Sequence, residues 1–150
     1  MLASGSVDEA QNWQELTSSE RSSYLSEYNA AGISLIVSGF GSTETPTSSG
    51  YDAVTTANTM AAWVIEYGLL GIDVDYEVLY RFFFSWRCDS NLWARLDQDF
   101  TAFNSGDGSA ETWLISYTQQ LRTQLPQGEY ILTHARESSF VASSSARSDM

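Results

Sequence analysis

Asp73, Asp75 and Glu77 recur at every second position in the stretch Gly71-Ile72-Asp73-Val74-Asp75-Tyr76-Glu77. In an extended strand alternate side chains share a face, so the three carboxylates are predicted to point one way. Ile72, Val74 and Tyr76 then take the other face. Like charges on consecutive rungs repel, and a purely structural strand gains nothing by collecting them. An active site does, because neighbouring carboxylates can keep a proton on one acid at neutral pH. Three strand carboxylates could instead bind a hard cation, or simply face water from an edge strand. The apolar lead-in of Leu69 and Leu70 favours a buried strand and hence the chemical reading.

At these residues the chain resembles glycoside hydrolase family 18, the chitinases and endo-β-N-acetylglucosaminidases, and in particular its fungal branch. That family carries Asp-Gly-x-Asp-x-Asp-x-Glu at the end of the fourth strand of a (β/α)8 barrel. Gly71, Asp73, Asp75 and Glu77 match it, and Leu70 stands where the family has its first Asp. The resemblance runs from about Val7 to Ala135, apart from one block. It implies cleavage of β-1,4-linked N-acetylglucosamine, in chitin or an N-glycan core, by substrate assistance rather than by a protein nucleophile. Glu77 would be the general acid and then the general base. Asp75 would hold the substrate acetamido N–H, and Asp73 would modulate Asp75. Neither a metal nor another cofactor is implied. Ser38-Gly39-Phe40-Gly41 resembles the family's Ser-x-Gly-Gly element, which shapes the cleft, with Phe40 in place of the first paired glycine. Small residues there let backbone approach a sugar.

The elements that must position these residues alternate. Val7–Ala30 is predicted helical, either as one helix or as two with a break at Leu16, since Thr17-x-x-Glu20 has the form of a capping box. Trp13, Leu16, Tyr24, Leu25 and Tyr28 supply its apolar stripe. Ile33–Val37 is predicted to be a buried parallel strand closed by Ser38–Gly41, with Ser42–Gly50 a loop. A helix over about Asp52–Tyr67 turns Ala57, Met60, Ala61, Val64 and Ile65 inward and stops at Gly68. The carboxylate strand follows at Leu69–Tyr76. A helix over Ala110–Leu125 carries Trp113, Leu114, Tyr117 and Leu121, and Pro126 and Gly128 end it. Tyr130–His134 is the third strand. Such alternation implies α/β architecture with parallel strands. Under the resemblance these would be about strands three to five of the barrel with their helices. With 150 residues the chain is shorter than the ~250 of a whole barrel, so a fragment is expected. No stretch corresponds to the sixth strand, from which the family supplies a Tyr to the acetamido carbonyl.

His134 is the sole histidine, at the end of the third predicted strand. It either makes a structural hydrogen bond or, since barrel strand ends face the active site, lines the substrate cleft. No particular Ser is tied to it, so no Ser-His-Asp set is supported, and no P-loop or dinucleotide fingerprint occurs.

The block Val78–Gln98 departs from its surroundings. It holds Tyr80, Phe82, Phe83, Phe84, Trp86 and Trp93, the sole cysteine Cys88, and three of the seven arginines. Every Val codon begins GT and a Gln codon can end in AG, so the block fits a translated, in-frame intron. Removing it joins Glu77 to Asp99 in text like that of the family. The alternative is an aromatic insertion that stacks on sugar rings. Residues 1–135 are therefore assigned to a partial catalytic domain interrupted at 78–98, and the Ser/Ala/Arg-rich residues 136–150 to a disordered tail.

Nineteen acidic residues against seven arginines and no lysine give a formal charge of −12, which opposes nucleic acid and anionic membrane as partners. The partner expected is an N-acetylglucosamine-containing glycan. One cysteine allows neither an intrachain disulfide nor a cysteine-based zinc site. The N-terminal residues have no basic and apolar leader pattern, so the chain as written is expected to be cytoplasmic, or secreted if a leader precedes it. A non-catalytic chitinase-like binding protein, or an inactive fragment, is the rival to the enzyme.

Overall fold

The computed structural model describes residues 1–41, 44–76 and 107–135. Glu77, the 78–98 block and the 136–150 tail lie outside them. The described elements are α1 (Asp8–Glu15), α2 (Ser18–Ala30), β1 (Val37–Phe40), α3 (Ala53–Glu66), β2 (Gly71–Asp75), α4 (Ser109–Gln124) and β3 (Ile131–His134). The strands form one sheet in the order β1-β2-β3, and both pairings are parallel. This is the mixed α/β arrangement that the alternation predicted.

The N-terminal helical region is two helices. Leu16 ends α1 in an extended conformation, and Thr17 caps α2 through a complete box with Glu20. Two orphan N–H groups are satisfied there by local side chains, which is why the chain restarts at that point. Tyr24 and Tyr28 of the expected stripe are exposed, and no residue of α2 is buried. α1 is tied down by Trp13, whose indole N–H donates to the Tyr67 carbonyl at 3.2 Å.

α3 is capped by Asp52, which accepts from the Thr55 N–H. It buries Ala57, Met60, Ala61 and Val64 as expected. Ile65 is exposed and Trp63 is buried in its place. The cause is α1, which covers that flank: the Trp63 N–H donates to Gln14 Oε1 at 2.9 Å. α4 buries Trp113, Tyr117 and Leu121, and its end at Leu125 is also buried. α3 and α4 pack on each other, joined by Tyr117 Oη to Met60 Sδ and by Gln120 to Asn58. Ile72 and Val74 of β2 are fully buried in the same core.

The first strand sits later than the sequence suggested. Ile33 is exposed, and 33–36 form only a lead-in in which the Leu35 carbonyl accepts from the Leu70 N–H at 2.9 Å. The ladder proper pairs Val37, Ser38, Gly39 and Phe40 with Ile72, Asp73, Val74 and Asp75. Ser38–Phe40, expected to close the strand, are thus the strand itself. Apolar run length was a poor guide because pairing follows the partner, and β2 offers its rungs only from Gly71 on.

Gly71 carries a steric requirement. A Cβ placed on it would lie 1.9 Å from the Ile131 carbonyl oxygen of β3. Only glycine lets β3 approach this closely at the start of the ladder.

Candidate functional site

The faces of β2 divide as the alternation requires. Ile72 and Val74 point into the helix layer, and Asp73 and Asp75 stand half-buried on the opposite face. Asp73 has a neighbour on each side in register, Ser38 on β1 and Thr133 on β3. The three make one polar rung across the sheet. The Thr133 hydroxyl donates to Asp73 Oδ1. Thr133 was not singled out in the sequence, since the signal that finds it is the β2–β3 register, which a lone sequence does not supply.

Asp75 occupies the last rung of β2, opposite Phe40. Its carbonyl accepts from the Gly41 N–H at 2.8 Å. Gly41 has φ +99°, and a Cβ on it would stand 3.9 Å from Asp75 Oδ2. The Ser38–Gly41 element therefore adjoins both aspartates, Ser38 beside Asp73 and Gly41 beside Asp75. Gly39 belongs to the other face, where a Cβ would press within 3.2 Å of Ile72 Cδ1.

Phe40, expected among the sugar-binding residues, is buried in the core. Its φ of +77° breaks the strand's alternation. The ring packs edge-on against Tyr117 at 5.2 Å, Trp113 at 5.7 Å and Tyr76 at 6.2 Å. A non-glycine residue in the left-handed region is strained, and burial of the ring among three aromatics offsets that strain. Tyr76 closes the cluster, stacked on Trp113 at 5.8 Å and hydrogen-bonded to Thr47 Oγ1 at 2.8 Å. The backbone immediately before Glu77 is thus anchored from the helix side. Burial, with a contribution from the charge of Glu44, pushes the Tyr117 phenol well above its ordinary pKa, so it stays neutral.

His134 lies in register with Val74 and so belongs to the helix side rather than to the aspartate face. Its Nε2 is 3.4 Å from Thr118 Oγ1 on α4. Burial lowers its pKa, the nearby Asp73 charge opposes the shift and Arg122 adds to it. Strand parity thus sets this residue, expected among those lining the cleft, on the face away from the two aspartates.

Holding a hard cation on the strand carboxylates would need Glu77, outside the described residues. Among the described residues no group of three or more His, Cys, Asp or Glu is placed to hold a metal ion. A groove of about 550 Å³ lies elsewhere, between α1, α2 and β1, with Trp13, Tyr24, Leu35 and Trp63 in its lining. It takes in Ser38 and Phe40 but neither aspartate.

No protein-family model and no curated protein matches the chain. Among solved structures it is similar to a GH18 chitinase from Pseudoalteromonas aurantia, with 26% identity and a TM-score of 0.56 over 81% of this chain and 38% of that one. The chain thus has a fold like part of a glycoside hydrolase of that family, and spans well under half the length of that structure. A three-stranded parallel sheet with its helices is compatible with a portion of a (β/α)8 barrel.

Proposed function

We propose that the chain carries the central portion of a family 18 glycoside hydrolase domain, fungal in type, with Asp73, Asp75 and Glu77 as its catalytic carboxylates. The observation that carries this is the aspartate pair on the open face of the middle parallel strand, in a fold similar to part of a chitinase. In this reading β1, β2 and β3 are strands three to five of the barrel. Glu77 gives its proton to the glycosidic oxygen as the bond to the anomeric carbon breaks. The substrate's own acetamido oxygen attacks that carbon, while Asp75 accepts from the acetamido N–H and stabilises the positive oxazolinium. Glu77 then takes a proton from the water that opens the ring, which restores both acid and configuration. Asp73, which accepts from Thr133 and lies in register with Ser38, would set the charge behind Asp75. The substrate would be an N-acetylglucosamine-containing glycan, with Ser38 and Gly41 close to it.

Hydrolysis of a chromogenic chitobioside by the chain, abolished in Glu77→Gln, is the expected result. A second reading, a chitinase-like protein that binds glycan without cleaving it, is favoured by Leu70 at the first signature position. Retention on chitin beads with no hydrolysis by the unaltered chain would select it. The 78–98 block is read as a retained intron. Transcript sequencing in which mature messages keep it would instead make it an aromatic sugar platform.

A further inference from the structure

The hydrogen bond from Thr133 to Asp73 is the one polar side-chain contact that joins β3 to the aspartate face among the described residues. Thr133 is exposed near the end of an edge strand, where water could satisfy its hydroxyl at no cost. Its bond to a carboxylate is charge-assisted and so stronger than a neutral one. A carboxyl group turns easily about its last torsion, which is broad and roughly two-fold. A donor fixed on Oδ1 removes that freedom and leaves Oδ2 as the oxygen through which Asp73 can deal with Asp75.

We propose that Thr133 is a positioning residue of the site, holding Asp73 by one oxygen so that Asp75 meets the substrate acetamido group in a single arrangement. The inference rests on the glycosidase reading and deepens it. Thr133→Val keeps the volume and the β-branch but removes the hydroxyl; Thr133→Ser keeps the hydroxyl. With chitobioside as substrate, Thr133→Val is expected to lower kcat about 10- to 100-fold, the span of a hydrogen bond to a charged group. KM should stay within about threefold, because the group acts on the reacting centre and not on uniform binding. Thr133→Ser should restore kcat. Full kcat in the valine variant, or an equal loss in both variants, would overturn the proposal.

A second readout separates this from a failure of the glycosidase reading itself. In the full chain labelled with 13C, without substrate, the Asp73 side-chain carboxyl resonance should move in Thr133→Val and return in Thr133→Ser. If the unaltered chain hydrolyses nothing yet the resonance follows this pattern, the positioning contact stands and the enzymatic reading falls. A resonance unmoved by the valine substitution sinks the contact whatever the activity.

Discussion

The two faces of β2 are built by opposite means. On the helix side Ile72 and Val74 are sealed by α3 and α4, and Tyr76 is clamped by Phe40 and Trp113. On the other side Asp73 and Asp75 stay half-open, tied by the Thr133 hydroxyl of β3 and by the Gly41 N–H just past the end of β1. Rigidity therefore enters from the apolar face, and the carboxylates of the proposed site stand on the face that packing leaves alone. A strand can hold adjacent carboxylates only because its other side contributes the burial that stabilises it.

The strongest way to break this division is at Gly71, where both faces depend on the approach of β3. Gly71→Ala puts a methyl carbon where the Ile131 carbonyl oxygen lies 1.9 Å away. Backbone cannot rotate aside as a side chain can, so the β2–β3 pairing must open. The expected cost is more than about 3 kcal/mol, above the usual range for overpacking. Urea unfolding would measure it, and early proteolysis within residues 126–135 would locate it. An alanine variant as stable as the parent would mean that β3 is not seated as described.

A paired experiment sharpens the comparison. Val74→Ala and Asp75→Asn alter neighbouring residues that face opposite ways. Removing two methyl groups from the fully buried Val74 should cost about 2 kcal/mol. Asp75→Asn keeps shape and removes a half-exposed charge, and should leave stability within about 0.5 kcal/mol. The order should invert for turnover, which Asp75→Asn abolishes under the proposed mechanism and Val74→Ala spares. Equal losses of stability in the two variants would show that the faces are not divided in this way.

What the sequence made legible was whatever depends on neighbours within one element. The alternation of β2, the capping box at Thr17 and the inner face of α3 at Ala57, Met60, Ala61 and Val64 are of this kind. What it hid depends on register and on backbone conformation. β1 begins at Val37 because that is where Ile72 can meet it, not where the apolar run is densest. The turn of Phe40 into the core follows from a positive φ that its residue type disfavours, so composition argued against it. Thr133 and His134 are adjacent in the chain, and the histidine drew attention as the more reactive type. Register reverses their importance, placing the threonine beside Asp73 and the histidine beside Val74.

That reversal supplies the smallest effect. His134 touches Thr118 on the helix side, and burial holds its pKa below the ordinary 6.5, partly opposed by Asp73. A histidine whose folded pKa is depressed binds its proton more readily in the unfolded chain. Its contribution to stability is thus present above pH 6.5 and is lost as the pH falls through the folded value. His134 is exposed to solvent, so screening keeps the contribution small. His134→Gln should flatten the slope of Tm against pH just below neutrality, ahead of the steeper loss when the carboxylates titrate. Hydrolysis at neutral pH should stay within about twofold of the parent, as for a residue outside the reacting face. A large loss of hydrolysis with Tm unchanged would instead put the imidazole on the substrate's side of the sheet, against the register that joins it to Val74.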